Sequence, residues 1–474
     1  MAEAVASIAD EVVTTSAGRD CDLAVAANPD PDTLAALYAA LEPGGTCYTE
    51  WDGIGAAGAR RALLGAGFDH VSCYRRWPFG ADTPLYWIPE NATGAAGYVR
   101  ARSRLPGGRL RRLLGSAGAA TSRLLRGQVG STISVFAHLG DAGVPAPAAW
   151  LREQWPVWDL GPAPDQVSLL LATGGPRSVS KVVLLAFAEP SPHPVMVIKA
   201  PRVEEAAVGV RRESAALEYL ERRGPLPGTP RRLGLREIAG VPLLAESAVL
   251  GRPLDTVLTR DSWKGWSLAL TDWLALLGRG GPARGADHWR DTIVEPALRR
   301  FIDTFEPVVD PGLLREGEAM VRAIGDLPAA PEQRDLGPWN VLVTPSGELG
   351  VLDWESAEME GLPVLDLLYY LAYASFHVDR ARDRASRITS FRHSLNPSSA
   401  TGAVRRECLE RYLAALRLDP AQLEPLRLLV WLIHAQSDVR HATSDAGGTP
   451  AREQLGRSLF LGLWIEEVRC LAGR

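Results

Sequence analysis

Apolar and polar positions alternate differently in successive parts of the chain. In residues 1–90 short apolar runs alternate with stretches of helical spacing. Leu23-Ala24-Val25-Ala26-Ala27 reads as a buried strand, and Asn28-Pro29-Asp30-Pro31-Asp32 as its exit turn. Thr33 to Leu41 has the apolar spacing of a helix ended by Pro43-Gly44-Gly45. Arg60 to Ala66 predicts a second short helix, followed by Gly67-Phe68 and a strand from Val71 to Tyr74. Between residues 91 and 140 the pattern thins. Arg100, Arg102, Arg104, Arg109, Arg111, Arg112, Arg123 and Arg126 occur there without an intervening Asp or Glu. Such a run predicts a solvated linker helix, with a basic segment that touches an anionic surface as the second reading. Pro-rich punctuation from Pro145 to Pro164 then marks the entry to the next domain.

From Val167 the spacing becomes strand-like. Val167 to Leu171 stops at Thr173-Gly174-Gly175-Pro176-Arg177-Ser178, Val179 to Phe187 resumes, and Val195-Met196-Val197-Ile198-Lys199 is a third strand. Val210 to Leu220 has helical spacing, with Val210, Ala216, Leu217 and Leu220 on or near one face. Beyond Gly361 the chain is helical and aromatic-rich, and Leu367 to Phe376 carries Tyr369, Tyr370 and Tyr373.

Composition narrows the class. A chain of 474 residues exceeds one ordinary core and predicts two large domains or about three smaller ones. No long uncharged apolar run reads as a membrane span, and the first thirty residues lack a basic start followed by an apolar stretch, so no secretory signal is expected. A net charge of -5 argues against a general nucleic-acid binder. Cys21, Cys47, Cys73, Cys408 and Cys470 are scattered, without C-x-x-C pairs or neighbouring His at ligand spacing, as expected of reduced thiols in a cytoplasmic protein. Only Lys181, Lys199 and Lys264 among the 51 basic residues are lysines. A compact ammonium and a planar guanidinium are not equivalent, so a lysine retained in such a chain marks a position where the point charge can matter.

Three features carry candidate chemistry. The Gly174-Gly175 turn, with Ser178, can bring backbone N–H groups close to phosphate oxygens, because no Cβ blocks the approach. Lys199 closes an apolar strand, where a charged end needs a partner, and Glu213 follows fourteen residues later on a helix. The third is Gln333-Arg334-Asp335-Leu336-Gly337-Pro338-Trp339-Asn340, followed by two short apolar strands ending in Leu352-Asp353-Trp354-Glu355. Asp335, Asn340 and Asp353 place three oxygen donors around one cleft. Phosphoryl transfer asks for a carboxylate to take the acceptor hydroxyl's proton and hard oxygen ligands for the metal on the phosphates.

Residues from about 165 to 375 resemble the aminoglycoside-phosphotransferase and choline-kinase-like branch of the protein-kinase fold. There the catalytic loop reads His-Gly-Asp-x₄-Asn and the metal motif Ile-Asp-Trp or Ile-Asp-Phe. The resemblance implies an α+β, bilobal fold, with a small antiparallel-sheet lobe over 161–250 and a helical lobe over 251–474. It further implies ATP and Mg²⁺ as cofactors, Asp335 as base, Asn340 and Asp353 as metal ligands, Lys199 on the phosphates and Glu213 positioning Lys199. Asp366 resembles the acid bracing the catalytic loop, and Leu243 to Ala248, with Glu246 and Ala248, resembles the strand and hinge contacting adenine. Gln333 stands where the family has His, and its own amide could do the bracing.

The implied reaction is phosphorylation of a hydroxyl on a small polar acceptor, with sugars, aminoglycoside-like or nucleoside-like natural products and carrier-linked glycans all open. Tyr369, Tyr370 and Tyr373 read as packing residues or as a surface for a sugar ring. His434, Asp438, Arg440 and His441 share helical spacing as a candidate polar face. The alternative is a kinase-like nucleotide-binding module of weak or no activity. Residues 1–90 resemble the C-terminal half of a class I S-adenosylmethionine-dependent methyltransferase, through Asp22 to Ala26, Leu41 to Gly45 and Leu64 to Phe68. This implies a small, truncated Rossmann-like α/β domain. The Gly-rich cofactor loop is absent, so a non-catalytic role is expected, with 91–160 as an Arg-rich connecting segment. Active methyl transfer would need that loop upstream of Met1.

Overall fold

The computed structural model describes residues 12–13, 21–78, 85–103, 132–138, 146–173, 181–238, 240–446 and 451–473. They fall in two compact units, Met1–Ser214 with Arg231–Ala248, and Ala215–Pro230 with Val249–Arg474.

The first unit is built on one 11-stranded sheet. Its strands in chain order are β1 (Val12–Val13), β2 (Cys21–Ala27), β3 (Leu41–Trp51), β4 (His70–Trp77), β5 (Tyr86–Pro89), β6 (Ile133–His138), β7 (Val167–Thr173), β8 (Val182–Ala188), β9 (Pro194–Ala200), β10 (Arg232–Ile238) and β11 (Val241–Ser247). Their spatial order is β1-β2-β3-β6-β4-β5-β7-β8-β9-β11-β10. Pairing is parallel from β1 to β3 and antiparallel at every later pair. Helix α1 (Pro31–Ala40) crosses between β2 and β3. The Asp30 side chain accepts from the Thr33 N–H, and Pro31 pre-sets the first turn. Together with α2 (Ala56–Gly65), it buries Leu34, Leu37, Ala59 and Leu63 in one cluster with Cys47, Cys73, Val135 and Ala137.

The β-α-β pattern expected of residues 1–90 is thus present, but it does not form a self-contained Rossmann-like sheet. β5 pairs with β7, Tyr86 opposite Ala172 and Trp87 opposite Leu171, so the N-terminal strands run on into the antiparallel ones. An unpaired β5 or β7 edge would expose a row of N–H and C=O groups, and joining the two satisfies both. Residues 133–138 also differ from their expected place in a connecting segment: β6 lies between β3 and β4, with Val135 and Ala137 fully buried. Helix α3 (Thr93–Ser103) covers the junction, packing Ala92, Ala95 and Val99 with Leu170, Leu185 and Phe187. Arg100 and Arg102 occupy its last turn, where cations suit the helix dipole, and Arg102 lies over the Tyr98 ring at 5.4 Å. Arg104 to Arg126 lie outside the described residues, as do Gly174, Gly175 and Ser178.

Strands β7, β8, β9, β11 and β10, followed in chain order after β9 by helix α4 (Glu204–Arg223), make the long antiparallel part of the sheet. Acids in the first turn of α4 and arginines in its last turn complement the helix dipole. The second unit is mainly helical, with a short hairpin of β12 (Val341–Val343) and β13 (Leu349–Val351). Its core is aromatic, and Trp289, Phe301, Phe305, Trp354, Trp431 and Trp464 are fully buried. Among the described residues no helix is long and apolar enough to cross a membrane.

Candidate active site

The first unit carries a buried charge cluster. Lys199 on β9 lies 2.5 Å from Glu213 Oε1 and 2.8 Å from Glu246 Oε1. Lys181, immediately before β8, lies 3.2 Å from the other Glu213 oxygen. All four side chains are under 10% exposed. The strand–helix ion pair expected from order alone is therefore present, within a larger set. Glu246 does more than line a strand: it is a second counter-ion of Lys199. Burial pushes its carboxyl above the ordinary carboxylate range, against the pull of Lys199. Its Oε2 is buried without a hydrogen-bond partner. Ala248 gives its N–H to the Val195 carbonyl at 3.2 Å, so an adenine contact at that residue falls to its carbonyl oxygen.

The second unit carries the polar loop. Asp366 accepts the backbone N–H groups of Gln333 at 2.6 Å and Arg334 at 2.8 Å, pinning the loop's entry. Arg334 has a φ of +69°, a left-handed conformation easier for the glycine found there in similar loops, and its Nε donates to Glu332 at 3.0 Å. The Gln333 side chain does the bracing work. Its Oε1 accepts from the Asp335 N–H at 2.8 Å, while its Nε2 donates to the carbonyls of Leu352 at 3.0 Å and Asp353 at 2.5 Å. One neutral amide thus ties the loop to the strand end bearing the second acid. An amide offers a donor and an acceptor in any protonation state, which is the pair of contacts this position needs.

Asp335 is held at both oxygens. Tyr369 donates its hydroxyl to Oδ1 at 3.1 Å, and Asn340 donates Nδ2 to Oδ2 at 3.0 Å and to the Asp335 carbonyl at 2.9 Å. Burial first, then the nearby Asp353 carboxylate, raises the Asp335 carboxyl to about 6. With Nδ2 of Asn340 engaged, its Oδ1 remains as an oxygen donor. β12 and β13 pair with Val341 opposite Val351, and the Leu352 N–H reaches the Asn340 carbonyl at 2.9 Å. That register sets Asp353, at φ +66°, beside Asn340. An amide oxygen and a carboxylate are hard ligands. They suit Mg²⁺, which keeps waters and phosphate oxygens at its remaining positions. Among the described residues no cluster of three His, Cys, Asp or Glu side chains offers an all-protein cage.

Aromatic rings surround Asp335. Tyr369, on α5 (Leu365–Val378), stacks on His434 at 4.3 Å and lies 4.7 Å from Tyr373, which meets Trp339 edge-on at 4.9 Å. Burial, reinforced by the Arg334 charge, pushes His434 down to about 3, so its ring is neutral. Tyr370 turns into the core, its hydroxyl 3.3 Å from Ser267. Asp438 is exposed on the same helix as His434, and the side chains of Arg440 and His441 lie outside the described residues.

Two contacts of these clusters escaped the sequence pattern. Lys181 had one signal, the scarcity of lysine. The hydroxyl contact of Tyr369 with Asp335 had none, because a tyrosine inside an apolar helix reads first as packing.

None of the curated proteins matches this chain. Among solved structures, a thermostable mutant of aminoglycoside phosphotransferase APH(4)-Ia, in ternary complex with ADP and hygromycin B, is 14% identical, with a TM-score of 0.43, over 68% of this chain and 100% of that one. APH(2'')-Ib bound to ADP is 10% identical, with a TM-score of 0.39, over 69% of this chain and 99% of that one. APH(3'')-Id from Streptomyces rimosus ATCC10970 is 15% identical, with a TM-score of 0.34, over 60% of this chain and 99% of that one. The phosphotransferase enzyme family matches residues 188–426, half of the sequence and inclusive of Lys199, Glu213, Asp335, Asn340, Asp353 and Asp366, so the chain belongs to that family.

Proposed function

We propose that this chain transfers the γ-phosphoryl group of ATP, with Mg²⁺, to a hydroxyl of a small polar acceptor. The observation that carries the reading is Asp335, a partly buried carboxylate fixed at both oxygens beside an amide–carboxylate pair suited to a metal. Asp335 orients the acceptor hydroxyl and takes its proton as that oxygen bonds to the γ-phosphorus. The bond from phosphorus to the bridging oxygen breaks and ADP departs, leaving the proton on Asp335. Asn340 and Asp353 would hold the Mg²⁺, which when bound neutralises charge on the phosphates. By the resemblance, Lys199 would supply a cation to nucleotide phosphates, and Glu213 would set its direction. ATP use and the free state of all five cysteines support a cytoplasmic setting.

The reading is tested by ADP release over a panel of sugars, aminoglycosides, nucleosides and glycans, with product mass identifying the phosphorylated acceptor. Nucleotide binding without turnover on any acceptor would favour a binding module instead. Gln333 no longer argues for that module, since its amide makes the contacts the loop needs.

Two further results are expected. Gln333→Ala unties loop from strand and should lower kcat by roughly 10- to 100-fold, whereas Gln333→His, with two ring nitrogens, should lose less; steady-state rates decide this. An Ala variant as fast as the parent would remove the amide from the account. The pH profile follows from Asp335. The ionised form is the base and its carboxyl is raised, so transfer should fall with acid through an apparent pKa at or below about 6. A metal on Asp353 cancels part of the charge that raises it, which sets the upper bound. An acid limb well above 6 would point to another group.

A further inference from the structure

Four charges meet on one sheet face, and sheet register brings three of them there. Val183 of β8 lies opposite Lys199 of β9, so Lys181, two residues earlier, shares the Lys199 face. Leu244 of β11 lies opposite Lys199, so Glu246 is its diagonal neighbour on that face. Glu213 reaches the group from α4 and divides its oxygens, Oε1 to Lys199 and Oε2 to Lys181. Two ammoniums and two carboxylates thus meet in one buried cluster, each carboxylate within ion-pair distance of an ammonium. Two of the three lysines in the chain are spent here.

The arrangement raises a problem for Lys199. Phosphates that share its ammonium weaken its hold on two buried carboxylates, and a buried carboxylate whose partner is weakened is costly. Lys181 answers this for Glu213, because it holds the second oxygen of that carboxylate. A compact ammonium on one oxygen leaves the other open, whereas a guanidinium fork tends to claim both.

We propose that Lys181 is a positioning residue for phosphoryl transfer: it keeps Glu213 compensated and in place while Lys199 is committed to the nucleotide phosphates. The inference rests on the reading of Lys199 as phosphate ligand. Removing Lys181 takes one positive charge from the set, which disfavours an incoming polyphosphate and holds Lys199 more tightly against its carboxylates. Removing the Glu246 charge as well should then restore the parent's net charge.

The test is calorimetric titration of the full chain with ADP and Mg²⁺, alongside thermal melts. Lys181→Met is expected to raise the Kd on the order of tenfold or more. In Lys181→Met with Glu246→Gln, the Kd should return to within about threefold of Glu246→Gln alone. A lowered melting temperature with unchanged Kd would make Lys181 a structural strut and overturn the proposal, as would a Kd that Glu246→Gln fails to restore. Lys199→Met separates the two levels. If it loses ADP binding while Lys181→Met does not, only this inference fails; if both bind as the parent, the phosphate role of Lys199 fails with it. Should Lys181→Met not fold, Lys181→Gln, which keeps a donor for Glu213, takes its place with the same expectations.

Discussion

Asp335→Asn is expected to slow phosphoryl transfer by roughly 10²- to 10⁴-fold while ADP affinity stays close to the parent's. The variant is suited to the test because the surroundings can accept it. Asn keeps one carbonyl oxygen to receive Nδ2 of Asn340. Its own amino group then faces the Tyr369 hydroxyl, which can turn from donor to acceptor. Burial already works against the charged form of Asp335, so a neutral replacement removes a desolvation cost and the fold should not weaken. What disappears, on the proposed reading, is the basic oxygen that would receive the acceptor's proton. Single-turnover rates with saturating nucleotide, beside a calorimetric Kd for ADP, separate the two effects. A variant that transfers as fast as the parent would show that another group is the base.

The second large effect concerns the metal. Asp353→Ala should abolish the Mg²⁺-dependent part of nucleotide binding, because Asn340 alone contributes one neutral oxygen and no charge to offset the ion. Asp353 has a positive φ, which Ala tolerates less well than Asp or Asn. Asp353→Asn is therefore the companion variant, leaving the backbone at ease while removing the charge. ADP titrations in Mg²⁺ and in EDTA give the readout. The parent should bind more tightly with Mg²⁺, and both variants should bind alike in the two conditions. A variant that kept the parent's Mg²⁺ preference would place the metal on other residues. Loss of the Asp353 charge also removes the second cause of the raised Asp335 carboxyl, so the acid limb of any residual activity should shift downward.

Much of the site is local in sequence, which is why it could be read there. Asp335 and Asn340 share one loop, and Asp353 ends the hairpin that follows. A short hairpin between them leaves little freedom in where the three oxygens meet. Lys199 and Glu213 were legible from a strand end followed by a helix, since consecutive elements usually neighbour each other. The bracing by Gln333 was legible only as a capacity of its amide. Which carbonyls it meets depends on how the loop sits against Leu352 and Asp353.

The rest depends on pairings between distant segments. Nothing near Tyr86 or Val167 announces that these strands join, yet that junction turns an N-terminal α/β segment and an antiparallel sheet into one structure. Ile133–His138 enters between β3 and β4 from a stretch whose arginines suggested only a linker. Lys181 and Glu246 meet Lys199 because of strand register, where a slip of one residue would send either side chain to the opposite face.

The amino-acid order by itself therefore determined the residue types, the loop spacing and the helix and strand periods, all set by interactions over a few residues. The tertiary structure alone decided the shared sheet, the four-charge cluster and the hydroxyl that steadies Asp335. Those contacts come from register and packing between segments far apart in the chain, and no local pattern encodes them.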